Sequence, residues 1–162
     1  MSVRILEIKK ESCPASRFIG KKYIDFPNWG EWWENGWFEA LEQLPWLPIN
    51  DSGYIGAVHI VSGKPEYWIG MFFPAETAVP NGFDCIEVGP TDYAVCYLYA
   101  KDMDPELHSM DTHNACLDAL KAVGFQRKED DWCFERYNCP RFTTPDALGN
   151  IILDYAISVK GE

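Results

Sequence analysis

The chain has no glycine-rich phosphate loop, so a nucleotide cofactor is not expected. Its three histidines are scattered and its six cysteines include no CxxC pair, so no metal-ligand spacing appears and no metal is expected. No apolar run approaches the length of a membrane-spanning helix, and the opening MSVRILEIKK has no signal-peptide core. These gaps point to a cytoplasmic setting. There Cys13, Cys85, Cys96, Cys116, Cys133 and Cys139 stay reduced and serve mostly as small core residues. Positive charge is scarce too: 14 Lys and Arg stand against 25 Asp and Glu, a formal net charge of −11. Such a surface repels phosphate backbones and anionic lipid, which disfavours direct nucleic-acid or membrane binding, and it draws positively charged ligands.

What is abundant is aromatic: 7 Trp, 8 Tyr and 9 Phe make up 15% of the residues. Rings this dense form either an aromatic-rich core or a site for flat, apolar ligands. A length of 162 residues suits one domain or two small halves sharing a core.

The order of elements favours the second arrangement. VRILEIKK (3–10) and SRFIGKKY (16–23) read as strands, followed by a helical segment over 27–45 in which Trp33, Trp37, Leu41 and Leu44 recur on one stripe. Pro45 ends it, and Gly36 predicts an irregular first turn. Two strands follow at 53–62 and 66–73, joined by a turn at Gly63–Lys64–Pro65. After a Pro/Gly-rich linker (74–82) the order repeats, with strands at 83–89 and 92–100 and an amphipathic helix at 111–124. Asp111 or Thr112 is its expected N-cap and Gly124 its stop. Strands at 131–139 and 151–159 close the chain, with a loop at 141–150 between them. The fold expected is therefore α+β: one domain over 1–162, built of two β-β-α-β-β halves (1–74 and 83–162) related by a pseudo-twofold. Each half has an antiparallel sheet and one main helix, with a ligand groove between the halves.

One stretch, DWCFERYNC (131–139), places Glu135 among strand aromatics. A charge there either points to water beside Arg136 or lies in a pocket, where desolvation is costly without a partner.

Four segments in order, EIKKESCPASRFIGKKY, EWWENGWFEAL, SGYIGAVHI and CFERYNCPRF, resemble the GyrI-like, or AraC-type effector-binding, domain family over nearly the whole chain. The resemblance implies a multidrug-type small-molecule-binding fold that holds bulky, often cationic aromatic compounds around a buried glutamate on the penultimate strand, matching Glu135. Members are the ligand-sensing halves of transcription regulators or stand-alone proteins. Some stand-alone members are described as hydrolases of cyclopropanoid genotoxins, which would make Glu135 a catalytic general acid or base, and others as gyrase inhibitors. A first strand at about Val3 leaves no room for a helix-turn-helix, so the likeness is to the stand-alone branch, acting alone or beside a separate regulator. Gly36 and the dense tryptophans depart from the family pattern.

Strand alternation sets the candidate ligand contacts. Cys133, Glu135 and Tyr137 share one side, while Trp132, Phe134 and Arg136 share the other. With the first set lining the groove, Phe134 is expected to pack beneath the second helix. Tyr155 on the last strand and Tyr97 and Tyr99 on 92–100 are further candidate walls. Trp33 and Trp37 are either core packing or ligand contacts, and Trp29 and Trp32 are candidates for a lid. Burial should raise the Glu135 pKa. His59 reads as structural, and His108 and His113 have no partner in sequence. Cys133 lacks an adjacent histidine to activate it. Trp46 and Pro48 are candidates for a homodimer contact.

Overall fold

The computed structural model describes residues 2–24, 26–47, 53–61, 64–128 and 132–161. The alternating segments become strands β1 (Arg4–Cys13), β2 (Ser16–Tyr23), β3 (Ile55–Val61), β4 (Lys64–Pro74), β5 (Asp84–Val88), β6 (Thr91–Lys101), β7 (Cys133–Arg136) and β8 (Asn150–Val159). All join one antiparallel sheet of eight strands in the order β1-β6-β8-β7-β3-β4-β2-β5. Exchanging β1–β4 for β5–β8 turns this order into its own reverse. The fold is α+β, as the pattern of elements implied.

The first helical segment differs from expectation. It is two short helices, α1 (Trp29–Glu34) and α2 (Trp37–Glu42), separated by Gly36 at φ 67°. That left-handed residue resets the helical phase, so the stripe Trp33–Trp37–Leu41–Leu44 does not run unbroken into the core. Leu41 of the stripe is buried, with Trp37 and Leu44 packed beside it, but Trp33 is 58% exposed and Trp32 and Phe38 fill the core in its place. α3 (Met110–Ala122) is capped by the Ser109 side chain, which accepts from the Thr112 N–H, two or three residues before the expected cap. Gly124, at φ 97°, stops it.

Two connections also differ. Lys64 and Pro65 already pair with Val61 and Ile60 as part of β4, and Gly63 lies outside the described residues. The segment 74–82 is fastened rather than slack: Arg17 Nη1 donates to the Thr77 carbonyl and Lys21 Nζ to the Gly82 carbonyl, each at 2.6 Å.

Both helical units pack on the same sheet face. α3 lays Cys116 and Leu120 over Cys96, Cys133, Leu153 and Ile157. α1 and α2 lay Trp32, Phe38 and Leu41 over Ile19, Ile69 and Met71. The opposite face forms a third core, in which Phe134 meets Phe18, Phe72 and Tyr93. Phe134 is thus not beneath α3; Cys133 is, because alternation gives that face to the odd-numbered residues of β7. Trp46 packs on the α1–α2 core, and Pro48 lies outside the described residues. Cys13, Cys96, Cys116 and Cys133 are buried and none of the four forms a disulfide. Among the described residues, no helix is long and apolar enough to cross a membrane.

Candidate functional site

The two helical units do not meet over the middle of the sheet, and the gap is a cleft of ≈ 530 Å³. Its floor is the centre of the sheet, where Glu135 pairs with Gly56 of β3 on one side and Tyr155 of β8 on the other. One wall is Phe26, Pro27 and Trp29, entering α1. The other runs from His108 to His113, entering α3. Cavities of this size, mostly apolar with a few convergent polar groups, suit small organic ligands.

Glu135 is buried, 4% exposed, and both of its oxygens are occupied. Oε1 accepts from the Tyr137 hydroxyl at 2.9 Å and from the Tyr67 hydroxyl. Oε2 meets His108 Nδ1 at 2.6 Å. Tyr67 belongs to β4, so it must reach over β3 to arrive there. It does so across Gly56, where a Cβ would lie 2.1 Å from the Tyr67 hydroxyl and 2.7 Å from Glu135 Oε1. The side chain missing at position 56 is the space the hydroxyl occupies.

The chain therefore supplies the partner that Glu135 needs. Burial pushes its carboxyl upward, but the adjacent His108 and the hydrogen bonds from His108, Tyr67 and Tyr137 outweigh it and hold the pKa below the ordinary value. The expected rise does not occur, because desolvation is only one of the contributions. Burial pulls the His108 pKa down, yet the charge of Glu135 and their hydrogen bond raise it overall. Tyr67 and Tyr137 are held well above the usual phenol range, first by burial and then by Glu135, so both stay protonated donors. His113 shares a 2.7 Å hydrogen bond with the Tyr155 hydroxyl, and burial lowers its pKa.

Of the residues singled out from sequence, Glu135, Tyr137 and Tyr155 lie together on the cleft. Tyr97 and Tyr99 do not line it. Tyr97 pairs with Asp154 while Cys96 pairs with Tyr155, so both tyrosines project from the opposite sheet face. There Lys9 and Arg141 sit over the Tyr97 ring, and Tyr99 bonds Asp146 at 2.5 Å. Trp33 packs on Phe38 and Tyr54, and Trp37 packs on Trp32 beneath Lys21. Trp29 lines the cleft with its ring edge-on to Tyr137, 4.9 Å between centroids, whereas Trp32 is buried and donates to the Tyr23 hydroxyl at 3.1 Å.

His108, for which the sequence offers no partner, joins the site through Glu135, and Tyr67 joins it unannounced. His108 ends a 3₁₀ turn (Pro105–His108) whose signal is present in Asp104–Pro105–Glu106: an Asp cap, a proline at the first position and an acid in the first turn. Tyr67 carries no such local signal. Among the described residues, no group of three or more His, Cys, Asp or Glu side chains could hold a metal ion.

No protein-family model matches the chain, and no curated protein matches it in sequence. Solved structures do match in fold. One is SAV2435 bound to tetraphenylphosphonium, at 16% identity over 96% of this chain and 95% of that one, with a TM-score of 0.67. The EcmrR C-terminal domain matches at 8% identity over 96% and 98%, TM-score 0.62. The integron cassette protein VCH_CASS2 from the mobile metagenome of Vibrio cholerae matches at 13% over 99% and 100%, TM-score 0.54. The likeness is one of fold, and it is the fold that the resemblance to GyrI-like effector-binding domains implies.

Proposed function

We propose that this chain is a small-molecule-binding protein that holds bulky, hydrophobic aromatic cations in the cleft between α1 and α3. The observation that carries the reading is Glu135, a buried carboxylate at the floor of an aromatic-walled cavity that has no Lys, Arg or Asp among its described lining residues. Ring faces attract a cation, each contributing roughly 0.5–2 kcal/mol depending on desolvation, and the carboxylate neutralises it. Trp29, Tyr67, Tyr137 and Tyr155 supply the rings. With Glu135 they account for micromolar binding, about −8 kcal/mol. A protein of the same fold, SAV2435, has been seen with tetraphenylphosphonium, a cation of this class.

The hydrolase reading asks Glu135 to act as a general acid or base, a role that favours a carboxyl pKa near the working pH. A carboxyl held low, with both oxygens engaged, favours binding over turnover. Tryptophan fluorescence with tetraphenylphosphonium and a panel of aromatic dyes, against wild type and Glu135→Gln, tests this. Cation affinity should fall at least tenfold in the variant, with every compound recovered intact by mass spectrometry. Equal binding by the two proteins removes Glu135 from the site. A compound gaining one water only with wild type makes the protein an enzyme.

A further inference from the structure

We propose that His108 is the specificity-determining residue of the cleft: an exchangeable internal cation that occupies Glu135 when no ligand is present and gives up its proton when a ligand cation takes its place. The inference rests on the binding function proposed above and adds a selection rule to it.

The geometry distinguishes removable from fixed partners of Glu135. Oε1 is held by two half-buried phenols that belong to the sheet or its immediate continuation. Oε2 is held by an imidazole whose side chain is 46% exposed against 5% for the glutamate, so His108 stands between the carboxylate and solvent. Among the described residues, the His108 ring makes no hydrogen bond other than that one. It projects from a single turn at the cleft mouth, beside Met110, which is 53% exposed. A cation reaching Oε2 from solvent meets His108 first.

Among the described residues, the ionisable groups lining the cavity define its charge. They are Glu135 from β7, Tyr67 from β4, Tyr137 just beyond β7, Tyr155 from β8, His108 from the 3₁₀ turn and His113 from α3. The three phenols are raised and stay neutral, and His113 is lowered and is neutral at neutral pH. The Glu135–His108 pair thus sets the charge. With His108 protonated the lining is neutral overall and suits uncharged ligands. With His108 neutral it carries the charge of Glu135 and suits cations.

The sign of the pH dependence follows. Below the His108 pKa, raised above its ordinary value near 6.5, a cation must expel one proton to bind. Its affinity should therefore rise about tenfold per pH unit until that pKa is passed, then level off. Glu135 stays ionised across this range because its pKa is lowered.

Tetraphenylphosphonium, a permanent cation, and triphenylphosphine oxide, a neutral molecule of similar bulk, are suitable probes. Both would be titrated from pH 5.5 to 8.5 against wild type and His108→Gln, which keeps an amide donor for Glu135 but cannot titrate. Calorimetry in two buffers of different ionisation enthalpy counts the protons released. With wild type, the cation should show the pH slope and release close to one proton at the acid end, while the oxide gains no affinity toward high pH and releases no proton. His108→Gln should flatten the cation curve and bind it on the order of tenfold tighter than wild type one unit below the His108 pKa. An unchanged slope in the variant, or cation binding without proton release, overturns the role of His108 while leaving the binding function standing. Failure of both compounds to bind either protein at any pH overturns the binding function and this inference together.

Discussion

Gly56 shows how much of the site depends on one missing side chain. Gly56→Ala sets a methyl group against the Tyr67 hydroxyl and Glu135 Oε1 in a buried setting, where overpacking costs about 1–3 kcal/mol. The variant should lose that much stability in urea unfolding, and the displaced phenol should weaken cation binding as well. Pairing it with Tyr67→Leu separates the causes, because the leucine removes both the hydroxyl and the ring carbon at 2.8 Å. Gly56→Ala should then cost markedly less in the Tyr67→Leu background than alone; strictly additive costs would show that the hydroxyl does not use this gap. Glu135 itself was legible in the sequence, since a carboxylate among strand aromatics asks for a reason and alternation fixes its neighbours. Its partners were not. Tyr67 arrives from a strand two places away through a register that no local pattern encodes. His108 stands 27 positions earlier, on a turn too short to show a period.

At the scale of elements, strand existence follows from alternation, but the sheet face that carries the cleft does not. Tyr97 and Tyr99 share a side of β6, as period two requires, yet the pairing of Cys96 with Tyr155 puts that side away from Glu135. The helical segment went astray for a different reason. A stripe counted at 3.6 residues assumes an unbroken helix, and one left-handed residue at Gly36 breaks it between Trp33, which is exposed, and Trp37, Leu41 and Leu44, which still pack on the core. That break also sets Trp29 at the cleft while α2 carries Phe38 and Leu41 into the core. A Cβ at Gly36 would meet nothing closer than 3.9 Å, so replacing it tests conformation without a clash. Gly36→Ala should destabilise by about 1–2 kcal/mol, the cost of holding a side chain in the left-handed region. Gly36→Asn should cost less, because asparagine tolerates it. A gain of about 1 kcal/mol in Gly36→Ala, the helix-propensity difference, would mean that α1 and α2 run as one helix in solution.

For the whole molecule, the strand order has a mechanical consequence. β1 belongs to the first half by sequence but pairs with β6 of the second, and β5 of the second pairs with β2 of the first. Each edge of the sheet is thus a strand lent by the other half, while β3 and β7 join the halves at the centre. Neither half can leave without unpairing strands of the other, so the two should unfold in one step despite their repeated order of elements. Six of the seven tryptophans lie in residues 1–74, so fluorescence reports chiefly on the first half and far-ultraviolet circular dichroism on both. Urea titrations followed by the two signals should superimpose, with a single midpoint and slope. A cation that binds across the cleft, touching α1 on one side and the entry to α3 on the other, should move both curves together. Separate midpoints would show that the halves are independent units and that the central β3–β7 pairing is the weak seam between them.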